Sequence, residues 1–312
     1  MKRYFRIMLG KSSIFAPEAR AGGFVGVDWF TGVDLSKHLP DNWRDFNKEF
    51  IPTYLEEFPE KSKVAAGLSC GFTWTVAKGI KQGDIVLSPN GKGQYYVGEV
   101  VSDYLFVPGA NLPHRRKVSW YPDVIERAAM SLELRRSTGS VGTSSEVTQY
   151  AAELESLISS PSNFAHQVTD DVEDDVVFAL ESQLKEFLVA NWANTDLGKK
   201  YDIFEDEGQR VGIEYPTDTG RMDILAIRKD GKELLVVELK RGRVSDVVVG
   251  QIQRYMGYVT EVLADKGQSV RGAIIGLEDD LNLRRALIVT RNIEFYRYEI
   301  KFKLINSALS ET

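Results

Sequence analysis

The chain has 312 residues, 43% of them hydrophobic, which predicts about two globular domains with ordinary hydrophobic cores. Its single cysteine, Cys70, excludes an internal disulfide and fits a reducing cytoplasm. No run approaches the about 18 apolar residues of a membrane span, and the N-terminus lacks the apolar region of a signal peptide.

The net charge of −6 is distributed unevenly along the chain. Residues 1–130 carry 17 Lys and Arg against 14 Asp and Glu, residues 131–175 carry 2 against 9, and residues 176–312 carry 20 against 22. The acidity is therefore concentrated in the middle segment. Overall charge neither supports nor excludes a polyanionic partner such as nucleic acid.

We predict that residues 1–127 form a β-rich recognition module. Short strand-like runs in this part of the chain are separated by turn residues. A turn at Asn90-Gly91-Lys92-Gly93 joins two of the runs as a hairpin. The predicted strands are 5–9, 22–30, 84–89 and 94–101, and the stretches with helical spacing of apolar residues are 41–58 and 64–80.

The second half of this module contains four short motifs in succession. They are Gly83-Asp84-Ile85-Val86, Tyr96-Val97-Gly98-Glu99-Val100, Asp103-Tyr104 and the run Pro113 to Trp120. The set resembles the N-terminal module of Mrr-type restriction-like proteins, although the His-Arg-Arg-Lys-Val segment is contiguous here. The resemblance implies a small PUA/EVE-like barrel, a shape that holds a modified base. We expect His114, beside two arginines, to be an exposed loop residue.

Aromatic and basic residues of the module suggest how it would bind nucleic acid. Trp29, Trp74 and Trp120 would offer stacking faces for an unpaired or flipped base. Arg115 and Arg116 would contact phosphates. The alternative for each tryptophan is a place in the core of the small barrel, since aromatic side chains dominate cores.

Residues 128–175 are predicted to be a linker with short helices. Residues 137–145 have the Ser, Thr and Gly composition of a flexible segment, and residues 146–158 form a short amphipathic pattern. The acidic run 170–175 is interpreted as a solvated segment before a helix, because acidic side chains favour helix N-termini.

The clearest amphipathic helix spans residues 176–192. Glu181 lies on its apolar stripe, at helical spacing from Val177 and Leu184. An acidic side chain on a buried face needs a partner. From the residues alone, Glu181 either reaches back to solvent or faces a polar site.

A hairpin follows this helix. The β-rich runs 222–227 and 233–240 are joined by a turn that carries Asp230-Gly231, a strong short-range hairpin signal. The order of strands and helices in this half predicts a mixed sheet flanked by helices.

The hairpin brings charged residues to one face. Asp223 lies on the first strand, and Glu238 and Lys240 lie near the end of the second. Residues two apart on a strand share a face, so Glu238 and Lys240 project together while Leu239 faces the core. Two carboxylates and an ammonium suit a hard divalent cation. For so short a motif, an exposed hairpin with a surface ion pair is the commoner explanation.

The wider pattern resembles the PD-(D/E)xK nuclease superfamily. Gly220-Arg221-Met222-Asp223 is followed by Glu238-Leu239-Lys240 and then by a predicted helix with Gln251 and Tyr255. Within the superfamily this resembles the C-terminal nuclease domain of the NucS/EndoMS (Mrr-like) type. The Pro of the superfamily name is displaced, since Pro216 lies seven positions before Asp223. The resemblance implies a restriction-endonuclease-like domain over residues 176–306 of an α/β (α+β) chain.

The resemblance also implies the chemistry of the site. Asp223 and Glu238 would hold Mg²⁺ or Mn²⁺, and Lys240 would orient the attacking water. Glu181 and Gln251 would complete the site. The implied reaction is hydrolysis of phosphodiester bonds in DNA, in restriction, anti-phage defence or repair. RNA or a branched junction is the alternative substrate.

Partners follow from the same resemblance. Arg221, Arg241 and Arg243 are predicted to contact nucleic acid, and Arg221 has the alternative of an ion-pair strut. Cutting both strands of a duplex needs two active sites, which predicts a homodimer. The alternative function is a non-catalytic nucleic-acid-binding or sensor protein built on a nuclease-like scaffold.

Overall fold

The structure, a computed structural model, describes residues 2–139, 142–159, 184–240 and 243–299. Within these ranges the chain forms two mixed sheets flanked by helices, which confirms the predicted α/β (α+β) class. None of the described helices combines the length and the apolar composition needed to cross a lipid bilayer.

The N-terminal sheet has six strands in the order β2-β5-β4-β3-β1-β6. Its β1 and β3 are parallel, and the other neighbours are antiparallel. The predicted hairpin at Asn90 is confirmed, since β3 and β4 pair around it. The strands are β1 (Tyr4–Ile7), β2 (Phe24–Val27), β3 (Ile85–Pro89), β4 (Gln94–Phe106), β5 (His114–Glu126) and β6 (Ser144–Glu146).

Five α-helices accompany this sheet in the described residues, and the two predicted from apolar spacing are among them. Asn42 and Ser62 begin these two helices, each accepting a hydrogen bond from an amide of the first turn through its side chain. The helices are α1 (Ala16–Gly22), α2 (Trp43–Glu57), α3 (Lys63–Trp74), α4 (Leu132–Thr138) and α5 (Ala151–Ser159).

The N-terminal sheet is open rather than closed. Its edge strands β2 and β6 do not pair with each other in the described residues. The predicted PUA/EVE-like barrel is therefore not formed by this part of the chain. Strand-like runs and turns predict that strands exist, whereas closure depends on strand tilt and register, which those patterns do not specify.

Part of the predicted linker belongs to the N-terminal domain. β6 pairs with β1, and Leu134, Leu154 and Leu157 pack into the same buried cluster as Tyr4. This apolar burial holds the described helices of the segment, α4 and α5, against the N-terminal sheet. Residues 160–175 lie outside the described residues.

The C-terminal sheet has the order β14-β12-β10-β9-β7, and β8 pairs with β9. β10, β12 and β14 are parallel, whereas β9 is antiparallel to β7, β8 and β10. The strands are β7 (Tyr201–Ile203), β8 (Ile213–Thr217), β9 (Gly220–Arg228), β10 (Glu233–Leu239), β12 (Ser269–Gly276) and β14 (Ile293–Arg297), with a separate pair β11 (Arg243–Val244) and β13 (Glu278–Asp279).

Helices cover both faces of this sheet. On one face α7 (Val247–Tyr258) and α8 (Leu281–Val289) pack against Val236 and Ile274. On the other face a helix whose described part is 184–190 (α6) contributes partly buried apolar residues to the cluster around Val237. β10 is buried along its whole length, as expected of a central strand.

The two domains share a hydrophobic core. Val64 and Leu68 of α3 lie in the cluster formed by α7 and the C-terminal sheet. Buried Tyr215 of β8 donates its hydroxyl hydrogen to the carbonyl oxygen of Val64 at 2.9 Å. The N-terminal domain is therefore packed onto the C-terminal domain rather than merely tethered to it.

Candidate active site

The candidate site lies where β9 and β10 diverge. Their registered pairing runs to Ile224 and Val237, so the next facing positions are Asp223 and Glu238. Beyond that point the Leu239 amide donates to Asp223 Oδ2 at 2.8 Å. This bond satisfies an amide at the strand end and fixes the Asp223 carboxylate beside β10.

The Glu238 carboxylate is the most buried group of the site. The residue is 2% exposed, so its charge needs partners. Lys240 Nζ and Gln251 Nε2 both donate to Glu238 Oε1, at 2.8 Å and 2.7 Å. Leu239 is fully buried on the opposite face. The predicted shared face of Glu238 and Lys240 and the nearby position of Gln251 are therefore observed.

Gly220 and Tyr255 complete this arrangement. The Tyr255 hydroxyl lies 3.4 Å from Gln251 Nε2. A Cβ atom on Gly220 would lie 2.8 Å from that hydroxyl oxygen, and Gly220 has φ +143. A glycine therefore lets the start of β9 approach the helix that carries Gln251.

Burial and neighbouring charged groups shift the pKa of the Asp223 carboxyl. Burial raises the pKa of the Asp223 carboxyl above its ordinary value, and the Lys185 ammonium, the Leu239 amide and Lys240 oppose that shift. The distance from Lys185 Nζ to Asp223 Oδ1 is 3.7 Å. A cation near this carboxylate therefore favours its charged form.

Lys185 is a site residue that the sequence reading missed. Its ammonium hydrogen-bonds to Glu214 Oε1 and contacts Asp223. Glu214 has a positive φ of 52 and also lies 3.9 Å from Arg221 Nη1. The available signal was spacing, because Lys185 follows Glu181 by four positions on a predicted helix.

The donor set fits a hard divalent cation. Among the described residues, no group of three or more His, Cys, Asp and Glu side chains has a metal-binding arrangement. Asp223 and Glu238 nevertheless supply two carboxylates from neighbouring strands, each one residue beyond the last registered pair. Mg²⁺ is held by one or two carboxylates and keeps several waters, so these two side chains are the ones that would hold such an ion.

Comparisons with known proteins divide the chain in two. Residues 193–307 match the family described as the endonuclease NucS C-terminal domain. The C-terminal domain is of the NucS type. Residues 5–142 match a family described as a domain of unknown function, DUF8426. The predicted resemblance of the C-terminal half is thus confirmed, and that of the N-terminal module to Mrr-type proteins stays a prediction.

One curated relative is the endonuclease NucS of Sulfolobus acidocaldarius, 30% identical over 111 residues, which are 35% of this chain and 40% of that protein. The match thus spans less than half of the relative's length. Among solved structures, a repair endonuclease from Pyrococcus abyssi is 17% identical with a TM-score of 0.30, covering 68% of this chain and 66% of that one. An EndoMS–dsDNA complex is 15% identical with a TM-score of 0.32, covering 70% and 66%.

The described part of the chain does not include the side chains of three predicted site residues. Glu181 and Arg241 lie outside the described residues. Arg243 begins β11, but its side chain is not described. Arg221 is placed beside Glu214, with its side chain 40% exposed, which leaves both the strut and the phosphate contact open to it.

The two arginines predicted to contact phosphates serve the fold instead. Arg116 is 4% exposed, and its guanidinium donates to the carbonyl oxygens of Val76 and Ala77. Arg115 donates to the carbonyl of Leu112 and stacks over the Phe24 ring at 3.7 Å. The alternation of side chains along β5 points Arg116 inward. The side chain of Arg115 instead binds the turn before β5.

His114 is buried, contrary to the expectation of an exposed loop. It is fully buried at the start of β5. Its Nε2 donates to the carbonyl oxygen of Phe30 at 3.0 Å, and its Nδ1 accepts from the Tyr104 hydroxyl at 2.7 Å. The motif around it is a strand rather than a loop, which explains the difference.

The three predicted stacking tryptophans are half-buried and separate. Trp74 Nε1 donates to the Pro40 carbonyl, and Trp120 Nε1 donates to the Ala19 carbonyl. Trp29 packs against Phe72, with ring centroids 6.0 Å apart. These contacts are those of core residues, and Trp74 and Trp29 line two different clefts.

Proposed function

We propose that this protein is a metal-dependent endonuclease that hydrolyses phosphodiester bonds in DNA. The observation that carries the proposal is the Glu238 carboxylate oxygen bonded by both Lys240 and Gln251, with Asp223 on the facing strand. The family description of the C-terminal domain as that of an endonuclease supports the same reaction.

Each residue of the candidate site has its own role in the proposed reaction. Asp223 and Glu238 would hold Mg²⁺ or Mn²⁺, which when bound polarises the phosphoryl oxygen and lowers the pKa of a bound water. Lys240 orients the attacking water and stabilises developing negative charge. Gln251 keeps the Glu238 carboxylate in position, because its amide is anchored on α7.

Isosteric substitutions test the reaction. Glu238→Gln and Lys240→Met are expected to lower cleavage of plasmid DNA in Mg²⁺ or Mn²⁺ by about 100-fold or more, because the first removes a carboxylate that would hold the metal and the second removes the ammonium that orients the attacking water. Glu278→Gln and Lys266→Met are matched controls, since both residues are exposed. Wild type that cuts no DNA with either metal would favour the non-catalytic binding protein.

Further parts of the proposal have their own tests. A panel of duplex, mismatched, modified, branched and RNA substrates separates restriction or anti-phage defence from repair, and a modified base held by the N-terminal module would appear as selectivity in it. Light scattering on the DNA complex tests the homodimer, and a monomer would count against it. A cytoplasmic location agrees with the buried, unpaired thiol of Cys70.

A further inference from the structure

An interdomain cleft of about 830 Å³ opens beside the candidate site. Its C-terminal wall includes Lys185, Arg221 and Asp223. Its opposite wall comes from the N-terminal domain and includes Arg127 and Arg135. A group bound at Asp223 would therefore have arginines of a different domain across the cleft.

Arg127 and Arg135 keep charge available for a ligand. Among the residues that the structure describes, neither forms an ion pair with a carboxylate. Arg127 Nη2 donates to the carbonyl of Arg135 at 3.3 Å, and Arg135 Nε donates to the carbonyl of Ser131 at 3.4 Å. Each guanidinium has five N–H donors, so donors remain for phosphate oxygens.

A neighbouring ion pair bridges the two walls. Arg136 of α4 pairs with Glu186 of α6 through Nε to Oε1 at 2.7 Å and Nη2 to Oε2 at 3.1 Å. Such a two-point contact holds direction as well as distance. Glu186 adjoins Lys185, which contacts Asp223. The helix carrying Arg135 is thereby connected to the helix that reaches the candidate metal ligand.

The acidic residues of the cleft determine how a polyanion could enter. Glu186 and Glu214 are paired with Arg136 and Lys185. Glu133 and Glu146 also line the cleft and are not paired with a described cation. Binding would therefore depend on individually placed arginines rather than on a broad positive field.

We propose that Arg127 and Arg135 bind backbone phosphates of DNA that flank the scissile phosphodiester, so that the N-terminal domain forms one wall of the substrate groove. This rests on the proposed nuclease function, because it is the position of the reacting phosphate near Asp223 that defines the groove. The planar, multidentate guanidinium suits phosphate oxygens better than an ammonium does.

Equilibrium binding tests the groove separately from catalysis. The full chain is titrated with a fluorescent DNA duplex in Ca²⁺, and anisotropy is followed across a salt series. We expect Arg127→Ala/Arg135→Ala to weaken binding about ten-fold and to reduce the slope of log K against log salt by about 2, one unit per lost phosphate contact. Arg127→Lys/Arg135→Lys should keep most of the slope.

Two controls make the test specific to the cleft. Arg285→Ala/Arg291→Ala removes two exposed arginines outside it and should leave affinity and slope unchanged. Glu133→Gln/Glu146→Gln removes two negative charges from the cleft and should strengthen binding several-fold, because like-charge repulsion falls. Thermal melts confirm that each variant is folded.

The outcomes separate the two proposals. If the wild type cuts DNA and Arg127→Ala/Arg135→Ala binds DNA with the affinity and salt slope of Arg285→Ala/Arg291→Ala, the groove proposal is wrong and the nuclease proposal stands. If binding depends on the two arginines and no metal supports cleavage, the nuclease proposal fails, and only DNA binding by Arg127 and Arg135 remains, with no scissile phosphate beside Asp223. A wild type that binds no DNA overturns both.

Discussion

At the Glu238 carboxylate, side chains from two elements meet on one oxygen, and much of this meeting was predictable. The period of a strand places Glu238 and Lys240 on one face, and the family pattern adds Gln251. Lys185 was not found, because its contact with Asp223 joins residues 38 positions apart through the packing of a helix on a sheet. Pattern rules describe neighbours along an element, not this kind of contact.

The burial of His114 has a measurable consequence for stability. Burial lowers the pKa of His114 below its ordinary value. An unfolded histidine titrates at about 6.5, so below that pH the unfolded chain binds a proton that the folded chain does not. The free energy of unfolding therefore falls as the pH drops from about 7 to about 5, and it falls less in His114→Gln.

Denaturant unfolding at the two pH values measures this difference. His38→Gln is the matched control, because His38 is exposed. We expect the control to keep the pH dependence of the wild type. Equal losses of stability in the wild type and in His114→Gln over this interval would contradict the prediction.

At the scale of elements, local patterns predicted most helices and hairpins correctly. The turns at Asn90 and at Asp230-Gly231, the helices α2 and α3, and the buried strand β10 all form where expected. The prediction of a closed N-terminal barrel was wrong for the described residues. Closure of a sheet is decided by strand tilt and register across the whole sheet, which local patterns do not specify.

The contact between β9 and α7 gives a prediction at this scale. Gly220→Ala should destabilise the protein by about 1–3 kcal/mol, because the residue must keep a conformation unfavourable to a side chain, and because its Cβ would lie 2.8 Å from the Tyr255 hydroxyl. Gly257→Ala on exposed α7 backbone meets no atom within 4 Å. It should stabilise by about 0.5–1 kcal/mol through helix propensity.

Chemical denaturation of both variants measures these changes. Because Gly220 also borders the Gln251 side of the site, Gly220→Ala should lower cleavage as well, whereas Gly257→Ala should not. A Gly220→Ala variant as stable as the wild type would contradict the close approach of β9 and α7.

At the scale of the whole molecule, the shared core leads us to expect that the two domains unfold as one unit. Leu68 of α3 is 8% exposed within the cluster built on α7 and β10. Loss of contact between the domains would expose apolar surface on both sides, which is unfavourable. The wild type should therefore unfold in a single transition.

Leu68→Ala tests this coupling. It should lower the free energy of unfolding by about 2–4 kcal/mol, since it leaves a cavity between the domains. Leu281→Ala is the control, because Leu281 is 58% exposed. Tryptophan fluorescence and circular dichroism should give coincident midpoints in the wild type. Two separated transitions in the wild type would contradict a shared core.

The amino-acid sequence by itself determined the alternation that sets Glu238 and Lys240 on one face, the turns of both hairpins, and the family of the C-terminal domain. These are local properties, because strand period and turn chemistry act over a few residues. Only the tertiary structure decided that Lys185 reaches Asp223, that Arg116 and His114 are buried, and that Arg135 faces the site across a cleft. Such contacts join segments distant in the chain, and they depend on which surfaces are removed together from water.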